Sequence, residues 1–200
     1  MIIRRIRQED DKRIAAIIRG IFDELDMPKE HTVYDEDTTD HQYEVFRDEP
    51  RSVLWVAEEN GIVVGSCGTY PTEGLPEGWC EIVKFYVDKC ARGNGIGTQL
   101  FTKSLESARC LGYQTAYLET FPKFGNAIGL YHRLGFRDID HQMGNSGHTA
   151  MSIFMTKSLR YTLTCCDNKG CFLNDNDIAS CVSDSLSRID GCRPLSQNGC

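Results

Sequence analysis

The sequence predicts an α/β layer structure built on one sheet, partly antiparallel and partly parallel. Three observations carry that prediction. Apolar residues switch between helical and strand spacing along most of the chain, Asn60-Gly61 joins two neighbouring strand-like runs as a tight hairpin, and a glycine-rich turn leads from a strand straight into a helix. Read in order, the segments are strand, helix, helix, three strands, helix, strand, helix and two strands, with no internal repeat.

Ile2 to Arg7 reads as a short first strand. From Glu9 onward Ile14, Ile17, Ile18, Ile21, Phe22 and Leu25 recur at helical spacing, with Glu9, Asp10 and Asp11 at the positive end of the helix dipole and Pro28 closing the segment. An acidic loop, Asp35 to Asp40, leads into a short helix around His41 to Phe46. Ser52 to Glu58 and Ile62 to Thr69 are strands; Asn-Gly between them suits a two-residue turn because both residues accept positive φ. After a loop from Pro71 to Gly78, Cys80 to Val87 is a strand. Leu100, Phe101, Leu105, Ala108 and Leu111 mark one helix face that Gly112 ends. Thr115 to Thr120 is a strand, Asn126 to Leu134 a helix stopped by Gly135, and Phe136 to Asp140 and Thr149 to Thr156 the last two strands.

Composition narrows the function. The chain has 200 residues, a formal net charge of −7, 40% hydrophobic and 26% charged residues, which is ordinary for a soluble globular protein. The acidic balance, with no basic cluster longer than Arg4-Arg5, argues against a nucleic-acid partner. No apolar run has membrane-spanning length, and the N-terminus lacks a secretory apolar core, so the expectation is a cytoplasmic protein without a membrane partner. Of ten cysteines, four (Cys67, Cys80, Cys90, Cys110) are scattered and six lie between Cys165 and Cys200; none has C-x-x-C spacing, and no two histidines stand four apart. No metal is expected. The composition shift near Leu159 divides the chain into a domain at 1–159 and a Cys/Ser/Asn-rich tail at 160–200. That tail reads as a disordered appendage, a small disulfide module or the product of a shifted frame or read-through. Six cysteines in a cytosolic chain disfavour the module, which leaves a disordered or non-native tail as the expectation.

The strongest chemical signal is Arg92-Gly-Asn-Gly-Ile-Gly97 between a strand and a helix. Such a turn aims successive backbone N–H groups at one point beside the positive helix end, which binds a phosphate or pyrophosphate without a lysine. No Lys follows Gly97, so this is not a P-loop, and the sixth residue from Gly93 is Thr98, so it is not a dinucleotide fingerprint. A ligand-free glycine connection is the alternative for the turn taken alone.

Two further segments accompany the turn. Arg92-x-x-Gly95-x-Gly97, the strand Cys80-Glu-Ile-Val-Lys-Phe-Tyr-Val87 before it, and Asn126 with Tyr131-His-Arg-Leu-Gly-Phe136 after it resemble, in order and spacing, the motifs of the GNAT superfamily of acyl-CoA-dependent N-acetyltransferases. Met143-Gly-Asn-Ser-Gly-His148 is loosely similar to a segment of some bacterial members. The resemblance covers residues 1–158 and implies a GNAT-like mixed sheet flanked by helices, with a V-shaped splay between strands four and five. It implies acetyl-CoA as co-substrate, with the amides of Arg92, Gly93, Asn94, Gly95, Ile96, Gly97 and Thr98 on the pyrophosphate. The backbone of Phe85, Tyr86 and Val87 would pair with the pantetheine arm, and Asn126 would touch the cofactor near the thiol.

The chemistry needs a neutral amine, a polarised thioester and a proton for the thiolate. A free amine with a pKa of about 10 is mostly protonated at neutral pH, so a base is required. Glu81 sits at a strand position where some family members carry it. It stands six residues before Val87, and even spacing puts both on one face; a solvent-facing or salt-bridged glutamate is the competing reading. The Val87 N–H is the candidate donor to the thioester carbonyl. Tyr131, where the family places a tyrosine, is the candidate acid; Leu130 and Leu134 already supply an apolar stripe, which argues against a purely packing role. Asp35, Glu36, Asp37, Asp40, Glu73 and Glu77 fall in two loops expected over the acceptor, where they would suit a cationic amine. His148 is a candidate for lining that pocket, and Cys80 and Cys110 are expected to be buried fillers. The expectation is acetyl transfer to a small primary amine by direct attack, by a monomer or homodimer. A protein Nα or lysine acetyltransferase and a non-catalytic acyl-CoA sensor are the alternatives.

Overall fold

A computed structural model of the chain describes residues 1–30, 32–147 and 150–160. The tail expectation, and His148, fall outside the described residues. The unit from Met1 to Arg160 is compact. Its elements are β1 (Ile2–Arg5), α1 (Asp11–Glu24), α2 (Gln42–Asp48), β2 (Val53–Glu59), β3 (Ile62–Tyr70), β4 (Trp79–Val87), α3 (Ile96–Cys110), β5 (Thr115–Thr120), α4 (Gly125–Arg133), β6 (Arg137–Ile139) and β7 (Ile153–Ser158). The last strand starts four residues later than its sequence suggests.

The strands form one sheet in the order β1-β2-β3-β4-β5-β7-β6. Every neighbouring pair is antiparallel except β4 and β5. The β2–β3 hairpin turns at Asn60 (φ 51°) and Gly61 (φ 79°), the positive angles its sequence demands. Strand alternation then builds two cores. Val53, Trp55 and Ala57 of β2 pack with Leu100, Phe101 and Leu105 of α3, while Leu54 and Val56 pack on the other face against Ile14, Ile18 and Phe22 of α1.

Two departures from regular sheet create the site. First, β4 pairs with β5 only over Trp79–Glu81 against Thr115–Tyr117; beyond Glu81 the two strands part, while β5 stays paired with β7 along its whole length. This is the V-shaped splay. Second, β4 bulges. Gly68 faces Val83 and Ser66 faces Tyr86, so β4 spends three residues where β3 spends two. Lys84 takes the extra step at φ 53°, and the Ser66 hydroxyl holds it by donating to the Lys84 carbonyl at 2.7 Å.

The bulge corrects one sequence inference. Glu81 pairs with Tyr70 and Val87 with Gly65, five residues away on β3, so Glu81 and Val87 lie on opposite faces. Cys80 and Ile82 share the α3 core with Phe85 and Val87, whereas Val83 and Tyr86 join the α1 core. An inserted residue inverts side-chain parity for everything after it.

Candidate active site

The edge of β4 facing the splay is set by the ladder on its other side. Asp88 donates its N–H to Val64 O at 2.8 Å, which makes Gly65 and Val87 a non-hydrogen-bonded pair. The N–H and C=O groups of Val87, and by alternation of Phe85, therefore point away from β3 into the slot. Tyr86 between them has its backbone turned to Ser66 and its ring in the α1 core, near Phe22 and Phe124.

The glycine turn follows the C-terminal end of β4, where β4 and β5 have parted. Gly95 is the N-cap of α3 in the left-handed region at φ 77°, and Gly93 has φ 84°. The first N–H returned within the helix is that of Gln99, donated to Gly95 O at 3.1 Å; those of Ile96, Gly97 and Thr98 have no partner one turn back. A Cβ on Gly97 would stand 3.2 Å from the Phe85 ring, so glycine lets α3 close onto β4. Arg92 braces the turn: its Nε donates to Val87 O at 3.0 Å, and its two terminal nitrogens grip Glu24 of α1 at 3.0 and 3.2 Å. Arg92 and Lys89 hold the Glu24 carboxyl below its ordinary range. Asp88 accepts from Cys90 N at 3.0 Å and from Arg13 at 2.5 Å; these bonds, the first foremost, hold its carboxyl low as well.

On the α1 face the splay opens into a cleft of about 520 Å³. Among the described residues five carboxylates line it, Glu36, Asp37, Glu73, Glu81 and Glu119, against one lysine, Lys84. Glu81 is 5% exposed and accepts from Thr72 Oγ1 at 2.5 Å. Lys84 pairs with Glu36 at 3.1 Å; burial pulls the ammonium below the usual lysine value, and Glu36 pushes it back up. Glu119 accepts from the Tyr117 hydroxyl at 2.9 Å, from Ser146 Oγ at 3.0 Å and from Gln142 Nε2 at 3.1 Å. The Tyr117 oxygen in turn accepts from Met143 N at 3.0 Å, so this hub ties the loop after β6 to the cleft wall.

Tyr131 lines the same cleft but is only 6% exposed, with ring centroids 5.1 Å from Phe101 and 6.0 Å from Phe85. Although Leu130 and Leu134 supply an apolar stripe beside it, Tyr131 packs in the core and also reaches the cleft. Burial raises its phenol well above the ordinary tyrosine value, partly countered by a hydrogen bond from Thr120. Asn126, in the first turn of α4, is exposed and outside the cleft lining.

Of the loop acids, Glu36, Asp37 and Glu73 reach the cleft. Asp40 instead pairs with Arg19 at 2.6 Å, Asp35 accepts from Thr32 N at 3.2 Å, and Glu77 is exposed. Cys80 is fully buried with its thiol pushed up to about 12, as a filler should be; Cys110 is exposed at the end of α3, contrary to expectation. Sequence reasoning passed over Glu119 and Lys84. Glu119 stands two residues after Tyr117 on β5, on the same face, a signal that alternation offered. Lys84 had no such signal, since unbroken alternation would put it with Cys80 and Ile82. Among the described residues no group of three or more His, Cys, Asp or Glu is arranged to hold a metal, and no helix is long and apolar enough to cross a membrane.

Comparison with known proteins agrees with this architecture. The model of the acetyltransferase (GNAT) family matches residues 18–136. YjgM of Escherichia coli (strain K12), an uncharacterised N-acetyltransferase, is 36% identical over 160 residues, covering 79% of this chain and 95% of that protein. A GNAT-family acetyltransferase from Staphylococcus aureus Mu50 superimposes with a TM-score of 0.70 at 21% identity, over 80% of this chain and 99% of that one. The yncA protein of Salmonella typhimurium, a putative acetyltransferase solved with acetyl-CoA, gives a TM-score of 0.63 at 22% identity, over 86% of this chain and 99% of that one. A matched family model across more than half the chain, a full-length relative and the splayed mixed sheet lead to one conclusion: the chain belongs to the acetyltransferase (GNAT) family and is an acetyl-CoA-dependent acetyltransferase.

Proposed function

We propose that the chain transfers the acetyl group of acetyl-CoA to a primary amine on a small cationic acceptor by direct attack. The observation that carries this reading is the cleft at the splay, where, among the described residues, five carboxylates face one lysine. A cation entering it gains from a field that the surrounding apolar walls strengthen.

In this reading the pyrophosphate rests on the amides from Arg92 to Thr98, and the pantetheine arm runs along the slot-facing edges of Phe85 and Val87. Asn126 approaches the arm from α4. The Val87 N–H, or that of Phe85, polarises the thioester carbonyl. Glu81 accepts the amine proton, directly or through water, and Tyr131 returns a proton to the departing thiolate. The raised phenol value does not oppose that role, because the dry surroundings that raise the phenol also raise the basicity of the thiolate. The catalytic domain is 1–159, the tail takes no part, and the enzyme works in the cytoplasm.

A groove of about 510 Å³, lined by His41, Glu44, Asp48 and Glu49 among others, shares Asp37, Thr38, Val45 and Tyr70 with the cleft. A basic peptide laid along it, its amine in the cleft, is the second reading. The test is CoA thiol release with a panel of mono- and diamines, amino sugars and lysine-rich peptides. Turnover with a small cationic amine is expected. Turnover confined to peptides would favour the second reading, and acetyl-CoA binding with no turnover on any amine would reduce the protein to a sensor.

A further inference from the structure

The cleft already contains one alkylammonium group, and it belongs to the chain. Lys84 is where β4 bulges, and the left-handed angle that a lysine rarely takes (φ 53°) is what turns its stem out of the regular alternation and toward the acidic side. Its side chain is 12% exposed, its Nζ is held by Glu36, and Glu81 on the same strand adds to the negative field around it. It is also the residue immediately before Phe85, whose backbone edge faces the slot. A primary amine on a flexible four-carbon stem, set among the carboxylates of an acetyltransferase cleft, has the chemistry of the acceptor itself.

We infer that Lys84 is a site of self-acetylation: in the absence of acceptor its ε-amine takes the acetyl group from acetyl-CoA bound to the same chain. The inference rests on the proposed placement of acetyl-CoA in the slot. The ammonium first gives a proton to a neighbouring carboxylate or water, a step that burial of Lys84 makes easier. The neutral nitrogen attacks the thioester carbonyl, forming the C–N bond. Collapse of the intermediate breaks the C–S bond, and the thiolate takes up a proton to leave as CoA thiol, with one proton released to solvent overall. The product is an uncharged amide. The Lys84–Glu36 ion pair is lost and the cleft keeps its carboxylates without their cation, so acetylation makes the site more selective for cationic acceptors.

The full chain is incubated with acetyl-CoA and no amine, and acetyl groups are followed by intact mass and peptide mapping. Exposed Lys12 serves as the internal reference for non-enzymatic labelling. Lys84 is expected to gain one acetyl group at least about tenfold faster than Lys12, at a rate independent of protein concentration. The Lys84→Arg variant, which keeps the charge, should lose that increment. Labelling no faster at Lys84 than at Lys12, persistence of Lys84 labelling in urea, a rate that rises with protein concentration, or no labelling at all would each overturn the inference. A parallel acetyl-CoA thermal shift separates the two layers: a normal shift with unlabelled Lys84 sinks self-acetylation alone, and no shift removes the cofactor placement with it.

Discussion

Replacement of Gly95 tests the pyrophosphate nest by geometry. Gly95 has φ 77°, and among the described residues the only neighbour its Cβ would meet within 4 Å is Gln99 Nε2 at 3.9 Å. Substitution therefore creates no steric clash, and its cost is that of the backbone. An L-residue in the left-handed region costs about 1–2 kcal/mol, and a β-branched one sits at the upper end. For a chain of this size that lowers Tm by about 2–8 °C, which leaves a folded protein. The alternative for Gly95→Val is to relax out of positive φ, and that rotates the Ile96, Gly97 and Thr98 amides away from their common point. Saturating acetyl-CoA at about a hundredfold over Kd should stabilise the natural protein by about 2.7 kcal/mol, whereas NAD and ATP should not. Gly95→Val is expected to lose that shift. Gly95→Asn should keep most of it, because asparagine accepts the left-handed region. Thermal melts of the three proteins with and without ligand make the comparison. A Gly95→Val protein that melts near the natural value and keeps its full acetyl-CoA shift would refute the nest.

Three other outcomes follow from the site. Tyr131→Phe keeps the ring packed against Phe101 and Phe85 and removes only the hydroxyl, so acetyl-CoA affinity should hold while kcat falls by about 10²–10⁴ with little change in KM; an undiminished kcat on the best amine would show that another group protonates the thiolate. Glu81→Gln can still accept the Thr72 hydrogen bond, so the loss should be catalytic, greatest near neutral pH and partly recovered toward pH ~10, where the amine deprotonates unaided; a pH-independent loss would make Glu81 structural. Asp88→Asn should cost about 1 kcal/mol at neutral pH, a modest figure because Arg13 is partly exposed. The folded carboxyl of Asp88 lies below its unfolded value, so its contribution is complete above ~4 and lost as pH falls through the lower folded value. Urea melts of both proteins should converge in acid, and a constant difference down to pH ~2 would contradict this.

Much of the fold was legible in the sequence because its signals are local. Asn60-Gly61 can turn a hairpin with no help from distant residues, and helix periodicity in Ile14 to Phe22 reports a buried face whatever lies across from it. The glycine turn between strand and helix is equally self-contained, since positive φ at Gly93 and Gly95 is a property of those residues. Together with the spacing of Tyr131 and the strand before the turn, these sufficed to indicate the family. The tertiary structure decided the rest. Where β4 leaves β5 depends on β3 holding the far edge of β4 and β7 the far edge of β5, which no single segment encodes. The bulge at Lys84 depends on register against β3 and a hydrogen bond from Ser66, eighteen residues away, so parity counted along β4 placed Glu81 and Val87 together and hid the lysine. Gln142 and Ser146 bond to Glu119 only because the chain after β6 folds back onto β5. Backbone angles are chosen residue by residue, whereas a cleft is defined by side chains that meet only after the sheet has set its register.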